Sequence, residues 1–273
     1  MDNRPIGVFD SGLGGLTAVR RLREILPHED IEFFGDTGRI PYGGRDRETL
    51  LRFAKDDLDF LLRRNVKAVV VACGTISSVA LDTLQNAGIP VLGVVQPAVR
   101  AAAEASRSGR IGITGTAAAI NSGAYERALK ALRPDCEILT SACPRFVPLI
   151  EGGAALDDPE LLSAAKEYIE PIRDFGADTL ILGCTHYPLI ADAIRRVVGE
   201  KVRLIDVGAE AAEEMKAVLT ASGSLNGQGK PGYLRCHVSG SPGSFAALAG
   251  HFLSGSRTLR VSPAKSEAQE SYR

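Results

Sequence analysis

Val69-Val70-Val71-Ala72-Cys73-Gly74-Thr75-Ile76-Ser77-Ser78 is an apolar, β-branched run that stops at a cysteine and passes through a glycine into a cluster of hydroxyls. Val79-Ala80-Leu81 then opens a helix-like pattern. A short continuous apolar run is the mark of a strand buried on both faces. A strand that runs directly into a helix puts the residue between them at the carboxyl end of a sheet, where open α/β proteins keep their ligands. The spacing predicts a helix starting near Thr75 or Ser77, both of N-cap type. Cys73 would then stand beside the positive end of a helix dipole, which lowers a thiol's pKa. It is read as a working thiolate.

The pattern recurs in the second half of the chain. Thr179-Leu180-Ile181-Leu182-Gly183-Cys184-Thr185-His186-Tyr187-Pro188 is again an apolar run, a small residue, a cysteine and a helix start, with Pro188 suited to the first helical position. Two thiols in matching contexts predict two halves built alike, with the cysteines facing each other.

The rest of the chain fits this frame. Strands are expected at Pro5–Asp10, Ile31–Asp36, Ile89–Val94, Arg110–Thr114, 137–141 and Val202–Asp206. Helices are expected at 16–26, 47–64, from the Cys73 turn to Ala87, from Pro97 through 98–105, from Gly115-Thr116 to about Leu132, at 159–175 and at 209–220. Strands alternating with helices of ten to fifteen residues mean parallel sheets flanked by helices on both sides, an α/β fold. Residues 233–253 add a strand and a helix, and the polar tail 263–273 reads as disordered.

Composition narrows the function. The net charge of −1 gives no long-range pull toward nucleic acid or an acidic membrane surface. Arg20-Arg21-Leu22-Arg23 falls on a helix pattern and reads as a solvated face. No run of about 18 apolar residues exists to span a membrane, and Met1-Asp2-Asn3-Arg4 lacks a signal-peptide core. A cytoplasmic protein is expected. The five cysteines, 73, 136, 143, 184 and 236, are odd in number and widely spaced, so they read as free thiols. Cys136, Cys143 and Cys236 read as small buried residues.

Four chemistries compete for the remaining motifs. Gly12-x-Gly14 lacks the third glycine of a dinucleotide fingerprint, since position 17 is Thr, and no P-loop lysine follows. A tight turn aiming Asp10 and Ser11 at a pocket is the simpler reading. Cys184-x-His186 supplies only two metal ligands, and His28, His237 and His251 are scattered, so no metal is expected. A single cysteine nucleophile paired with His186 would leave the second strand-end cysteine unexplained. Acid/base chemistry by two thiols uses both. One takes a proton from a carbon centre and the other returns one to the opposite face, with Asp10 and His186 tuning their protonation and no cofactor. Pro41-Tyr42-Gly43-Gly44 reads as a loop closing the pocket.

At these residues the chain closely resembles the glutamate racemases. The matching stretches include Gly7-Val8-Phe9-Asp10-Ser11-Gly12-Leu13-Gly14-Gly15, Pro41-Tyr42-Gly43, Ala72-Cys73 with Thr75, Ala142-Cys143-Pro144, and Leu182-Gly183-Cys184-Thr185-His186-Tyr187-Pro188. The resemblance implies two similar α/β lobes, 1–96 plus 208–262 and 97–207, with the active site between them. It implies Cys73 and Cys184 as the two bases, acting on D- and L-glutamate respectively, assisted by Asp10 and His186. It implies a substrate site of Asp10, Ser11, Pro41, Tyr42, Gly43, Gly74, Thr75, Thr116, Thr185 and His186. A homodimer that supplies D-glutamate for peptidoglycan follows from the same resemblance.

Two positions depart from the family. Gly74 stands where its members carry an asparagine whose amide touches substrate, and Ala119 where they often carry threonine. Losing a hydrogen bond to a charged group costs about 1.5–3 kcal/mol. Both changes are expected to enlarge the pocket. That leaves room for two alternatives, a racemase for another amino acid or a weakly active homologue with a protein-binding role.

Overall fold

The apolar runs become the strands of two parallel sheets in the computed structural model, which describes residues 1–253 and 259–264. β1 (Ile6–Asp10) is buried along its whole length. The glycine loop after it turns into α1 (Leu16–Ile25). β2 (Ile31–Gly35) pairs with β1, Ile31 opposite Ile6. α2 (Arg47–Leu62) starts at Asp46, whose carboxylate accepts from the Thr49 N–H at 2.9 Å. β3 (Ala68–Val71) lies on the other side of β1, and α3 (Gly74–Val79) leads to β4 (Val91–Gly93).

From β4 the chain enters α4 (Val95–Ala105) and begins the second sheet with β5 (Arg110–Gly115). α5 (Ala117–Asn121) and α6 (Ala124–Leu132) precede β6 (Glu137–Ala142). α7 (Phe146–Glu151) and α8 (Pro159–Asp174) precede β7 (Thr179–Leu182). A 3₁₀ turn at Tyr187–Ile190 and α9 (Ala191–Val198) lead to β8 (Arg203–Asp206). The chain then returns through α10 (Val207–Ala221) to the first sheet, adding β9 (Leu234–Val238), α11 (Pro242–Leu253) and β10 (Arg260–Pro263). The strand orders are β10-β9-β2-β1-β3-β4 and β6-β5-β7-β8, with every pairing parallel.

Alternation along the strands distributes the core. Ile6 and Val8 of the first sheet share one apolar cluster with Ile111, Ile113 and Ile181 of the second, completed by side chains of α1, α4 and α10. Phe9, Val69 and Val71 point to the opposite face of the first sheet, against α2. Leu180 and Leu182 point to the opposite face of the second, against α8 and α9.

The elements differ from expectation in four places. α3 begins at Gly74, so Cys73 itself occupies the N-cap position instead of Thr75 or Ser77. It ends at Val79, short of Ala87, and a 3₁₀ turn at Leu81–Leu84 follows. Its hydroxyls explain the brevity: Ser77 Oγ donates to the Val71 carbonyl and Ser78 Oγ to that of Gly74, and β-branched Thr75, Ile76 and Val79 are poor helix formers. The helix expected to run to Leu132 is two helices, broken at Gly123, whose φ of 64° lies in the left-handed region. Arg260–Pro263 forms an edge strand that takes in Pro263, the first residue of the tail expected to be disordered, and residues 265–273 of that tail lie outside the described residues. α7 was not read at all, because Pro148 interrupts its helical pattern.

Gly112 tests this packing. A β-carbon there would strike Cγ2 of Ile172, a fully buried and β-branched side chain on α8. Gly112→Ala is expected to cost about 1–3 kcal/mol, read as a lowered denaturant midpoint with an unchanged slope.

Candidate active site

The carboxyl ends of β1, β3, β5 and β7 meet around one cavity of about 470 Å³. Asp10, Ser11, Pro41, Tyr42, Gly43, Cys73, Gly74, Thr75, Thr116, Cys184, Thr185 and His186 all line it. Among the described residues, no lysine or arginine does.

Asp10 is 1% exposed, and its carboxylate joins the two sheets. Oδ1 accepts from the Gly12 N–H at 2.8 Å and from Ser11 Oγ at 3.3 Å. Oδ2 accepts from Thr185 Oγ1, on the second sheet, at 3.0 Å. Burial raises the Asp10 pKa, opposed by the charge of His186 and by these hydrogen bonds. Nearby, Thr17 Oγ1 donates to the Thr185 carbonyl at 3.0 Å, and the Thr75 and Thr116 hydroxyls are bonded at 2.9 Å. Thr116 also caps α5, its Oγ1 accepting from the Ala119 N–H at 3.2 Å.

Cys73 does not behave as the sequence reading expects. Burial, with the charge of Asp10 as the second cause, pushes its thiol up to about 12. The dipole of a six-residue helix does not offset this. Cys73 is therefore held as a thiol, with Sγ 3.8 Å from Ser11 Oγ.

Cys184 has a different environment. Its Sγ lies 3.6 Å from His186 Nδ1, and His186 Nε2 lies 2.9 Å from Glu151 Oε1. Burial opposes charging of the imidazole. The hydrogen bonds to Cys184 and Glu151 and the charges of Cys184 and Asp10 outweigh it, raising His186 to about 10. His186 is thus an imidazolium that points one N–H at the sulfur and the other at a carboxylate. Phe252 of α11 packs against its ring, with centroids 5.9 Å apart.

Glu151 is the site residue that the sequence reading missed, since it rides on the unread helix α7. Cys143, read as a small buried residue, is buried but also forms part of the cavity wall. The Tyr42 hydroxyl donates to Asp36 and to Asp57, the latter at 3.1 Å. Arg39 ties both carboxylates and Asp56 together. Tyr42 is 2% exposed, so it is a fixed wall rather than a lid, and its hydroxyl is already engaged. Burial raises the pKa of Asp57 well above the usual carboxylate range and that of Asp36 in the same direction.

The expected enlargement of the pocket is absent. Ala119 is buried behind Thr116 and does not reach the cavity, which is walled there by Thr116 and Ala117. At Gly74, the place a β-carbon would take is filled by the Gly183 carbonyl oxygen. The missing side chain is replaced by backbone, not by open space.

A family model described as Asp/Glu/Hydantoin racemase matches residues 17–215. The chain belongs to the Asp/Glu/Hydantoin racemase family. Among its relatives, the glutamate racemase of Mycobacterium leprae is 44% identical over 263 residues, 96% of each chain. That of Geobacter metallireducens is 42% identical over 253 residues, 92% of this chain and 93% of the relative. Two solved members of this racemase family share the fold over 98% of this chain. One is a Thermus thermophilus glutamate racemase in complex with β-chloro-D-alanine, with TM-score 0.87, 44% identity and 99% of that chain covered. The other is a Francisella tularensis glutamate racemase in complex with D-glutamate, with TM-score 0.91, 37% identity and 100% of that chain covered.

Glu151→Gln removes one of the charges that hold the proton on His186. The His186 pKa is expected to fall from about 10, so that the imidazole deprotonates at lower pH in the variant. An NMR titration of the ring checks this; an unchanged midpoint would show that Cys184 and Asp10 alone set it.

Proposed function

We propose that the chain interconverts L- and D-glutamate without a cofactor, with Cys73 and Cys184 as acid and base on opposite faces of the substrate's α-carbon. The observation that carries this is the convergence of two strand-end thiols, one from each sheet, on a single cavity. Their settings suit complementary roles. Cys73, held as a thiol, is ready to give a proton. Cys184 has the His186 imidazolium beside it to stabilise negative charge and to hold or move a proton at sulfur.

In the L-to-D direction, the Cys184 sulfur takes the α-proton as the Cα–H bond breaks. The electron pair stays on carbon, delocalised into the adjacent carboxylate. The Cys73 S–H bond then breaks as its proton passes to the opposite face of the carbon. The pair is left as Cys184 thiol and Cys73 thiolate, the state required for the reverse reaction. With no lysine or arginine on the wall among the described residues, hydroxyls such as Ser11, Thr75, Thr116 and Thr185 and backbone N–H groups are the donors for the substrate's carboxylates. Buried Asp10 suits the ammonium.

The relatives named above support glutamate as the substrate. The alternative of a different amino acid draws on space expected at Gly74 and Ala119; backbone takes up the former, and Ala119 does not reach the cavity. Homodimerisation, a cytoplasmic location and supply of D-glutamate for peptidoglycan belong to the same reading and rest on the resemblance.

Circular dichroism from each enantiomer, with Cα exchange followed in D₂O, is expected to show loss of optical activity from both sides. Cys73→Ser and Cys184→Ser are each expected to lower racemisation by at least about 10²–10⁴-fold. Full activity in either variant would refute the two-thiol mechanism. Activity on another amino acid in place of glutamate would refute the substrate.

A further inference from the structure

Gly74 and Gly183 flank the two cysteines, one on each sheet's side of the cavity. We propose that Gly74 is a positioning residue: its missing side chain lets the Cys73 and Cys184 segments close to backbone contact, and this contact sets the distance from which two thiols address one carbon. The proposal rests on the two-thiol reading above.

The argument starts from what lies beside Gly74. A β-carbon there would collide with the Gly183 carbonyl oxygen, with the Gly183 carbonyl carbon at 3.4 Å and Cys184 Cα at 3.7 Å. These are backbone atoms, which no rotamer change can move aside. Both sides are also tied to their own sheets. The Gly183 N–H donates to the Thr114 carbonyl at 2.8 Å, and a β-carbon on Gly183 would in turn meet that same carbonyl. On the other side, the Ala72 N–H donates to the Phe9 carbonyl at 2.9 Å, the Cys73 carbonyl accepts from the Ser77 N–H at 2.9 Å, and the Gly74 carbonyl accepts from Ser78 Oγ at 2.8 Å. Neither segment has slack. A side chain at position 74 can be admitted only by parting the two sheets, by about 1 Å to restore ordinary contact.

The seam beside this point is equally tight. The Thr75–Thr116 hydroxyl bond sits one residue along, and the Ala118 N–H donates to the Gly43 carbonyl at 3.1 Å. Gly14 abuts Thr185, whose Oγ1 would lie 2.5 Å from an added β-carbon. Gly14 and Gly74 thus both stand where an added β-carbon has no room. The bare backbone at Gly74 lets the two cysteine-bearing turns meet without a side chain between them. A misplacement of about 1 Å in a catalytic pair is enough to cost about a hundredfold in rate.

The test compares Gly74→Ala with the wild type in two ways. Crystal structures of both with D-glutamate are expected to show Gly74 against the Gly183 carbonyl in the wild type and a longer Cys73 Sγ–Cys184 Sγ separation in the variant. An unchanged separation, or a wild-type gap wide enough for a methyl group, would overturn the proposal; the wild-type measurement decides even if the variant does not fold. In D₂O, inversion by the variant is expected to fall about a hundredfold, while Cα exchange into the starting enantiomer, which needs only one thiol, falls less. Inversion at the wild-type rate, or an equal fall of inversion and exchange, would overturn it. A wild type inactive on glutamate would instead overturn the substrate reading, and the crystallographic comparison would still decide the role of Gly74.

Discussion

A carboxylate buried between two sheets is the constraint around which this molecule is arranged. Asp10 ends the central strand of the first sheet, is almost wholly removed from water, and accepts hydrogen bonds from its own loop and from Thr185 of the second sheet. A buried carboxylate is tolerated only where its lone pairs are satisfied and a counter-charge is close. The hydrogen bonds supply the first condition and the His186 imidazolium the second. His186 in turn needs partners for both ring N–H groups, and Cys184 and Glu151 provide them. Position and protonation of the site are therefore one problem with one solution.

The same solution makes the two thiols unequal. Asp10 stands behind Cys73 and adds to the burial that keeps it protonated. His186 stands behind Cys184 and offers a proton to its sulfur. Two identical side chains thus stand in different surroundings, set by their neighbours and not by the residue type, as the proposed two-thiol chemistry requires. Glycines let this happen at close quarters, because the seam between the sheets is backbone against backbone at Gly74 and Gly183, and backbone against side chain at Gly14 and Gly43.

The fold was legible wherever apolar period and punctuation agreed. β1, β2, β3 and β7 are buried on both faces and read as unbroken apolar runs, so they and the parallel sheets followed directly. The strand-end cysteines, Asp10 and His186 were legible for the same reason, since a reactive residue at the carboxyl end of such a run has few structural uses. The thiol state of Cys73 was not, because it depends on burial and on Asp10, 63 positions earlier in the chain. Glu151 stayed hidden inside a proline-interrupted helix. The effect of Gly74 was misread because an absent side chain looks like space until the opposing backbone is known.

Holding Cys73 as a thiol has a chemical consequence outside the reaction cycle. Oxidants and electrophiles attack thiolates, and burial with the nearby charge of Asp10 keeps Cys73 protonated at neutral pH. With 4% of its surface exposed, the sulfur is also hard to reach. A protonated and buried Cys73 sulfur is therefore a poor target for oxidants. On the proposed two-thiol mechanism, Cys73 becomes a thiolate only in the interval after its proton has left for carbon.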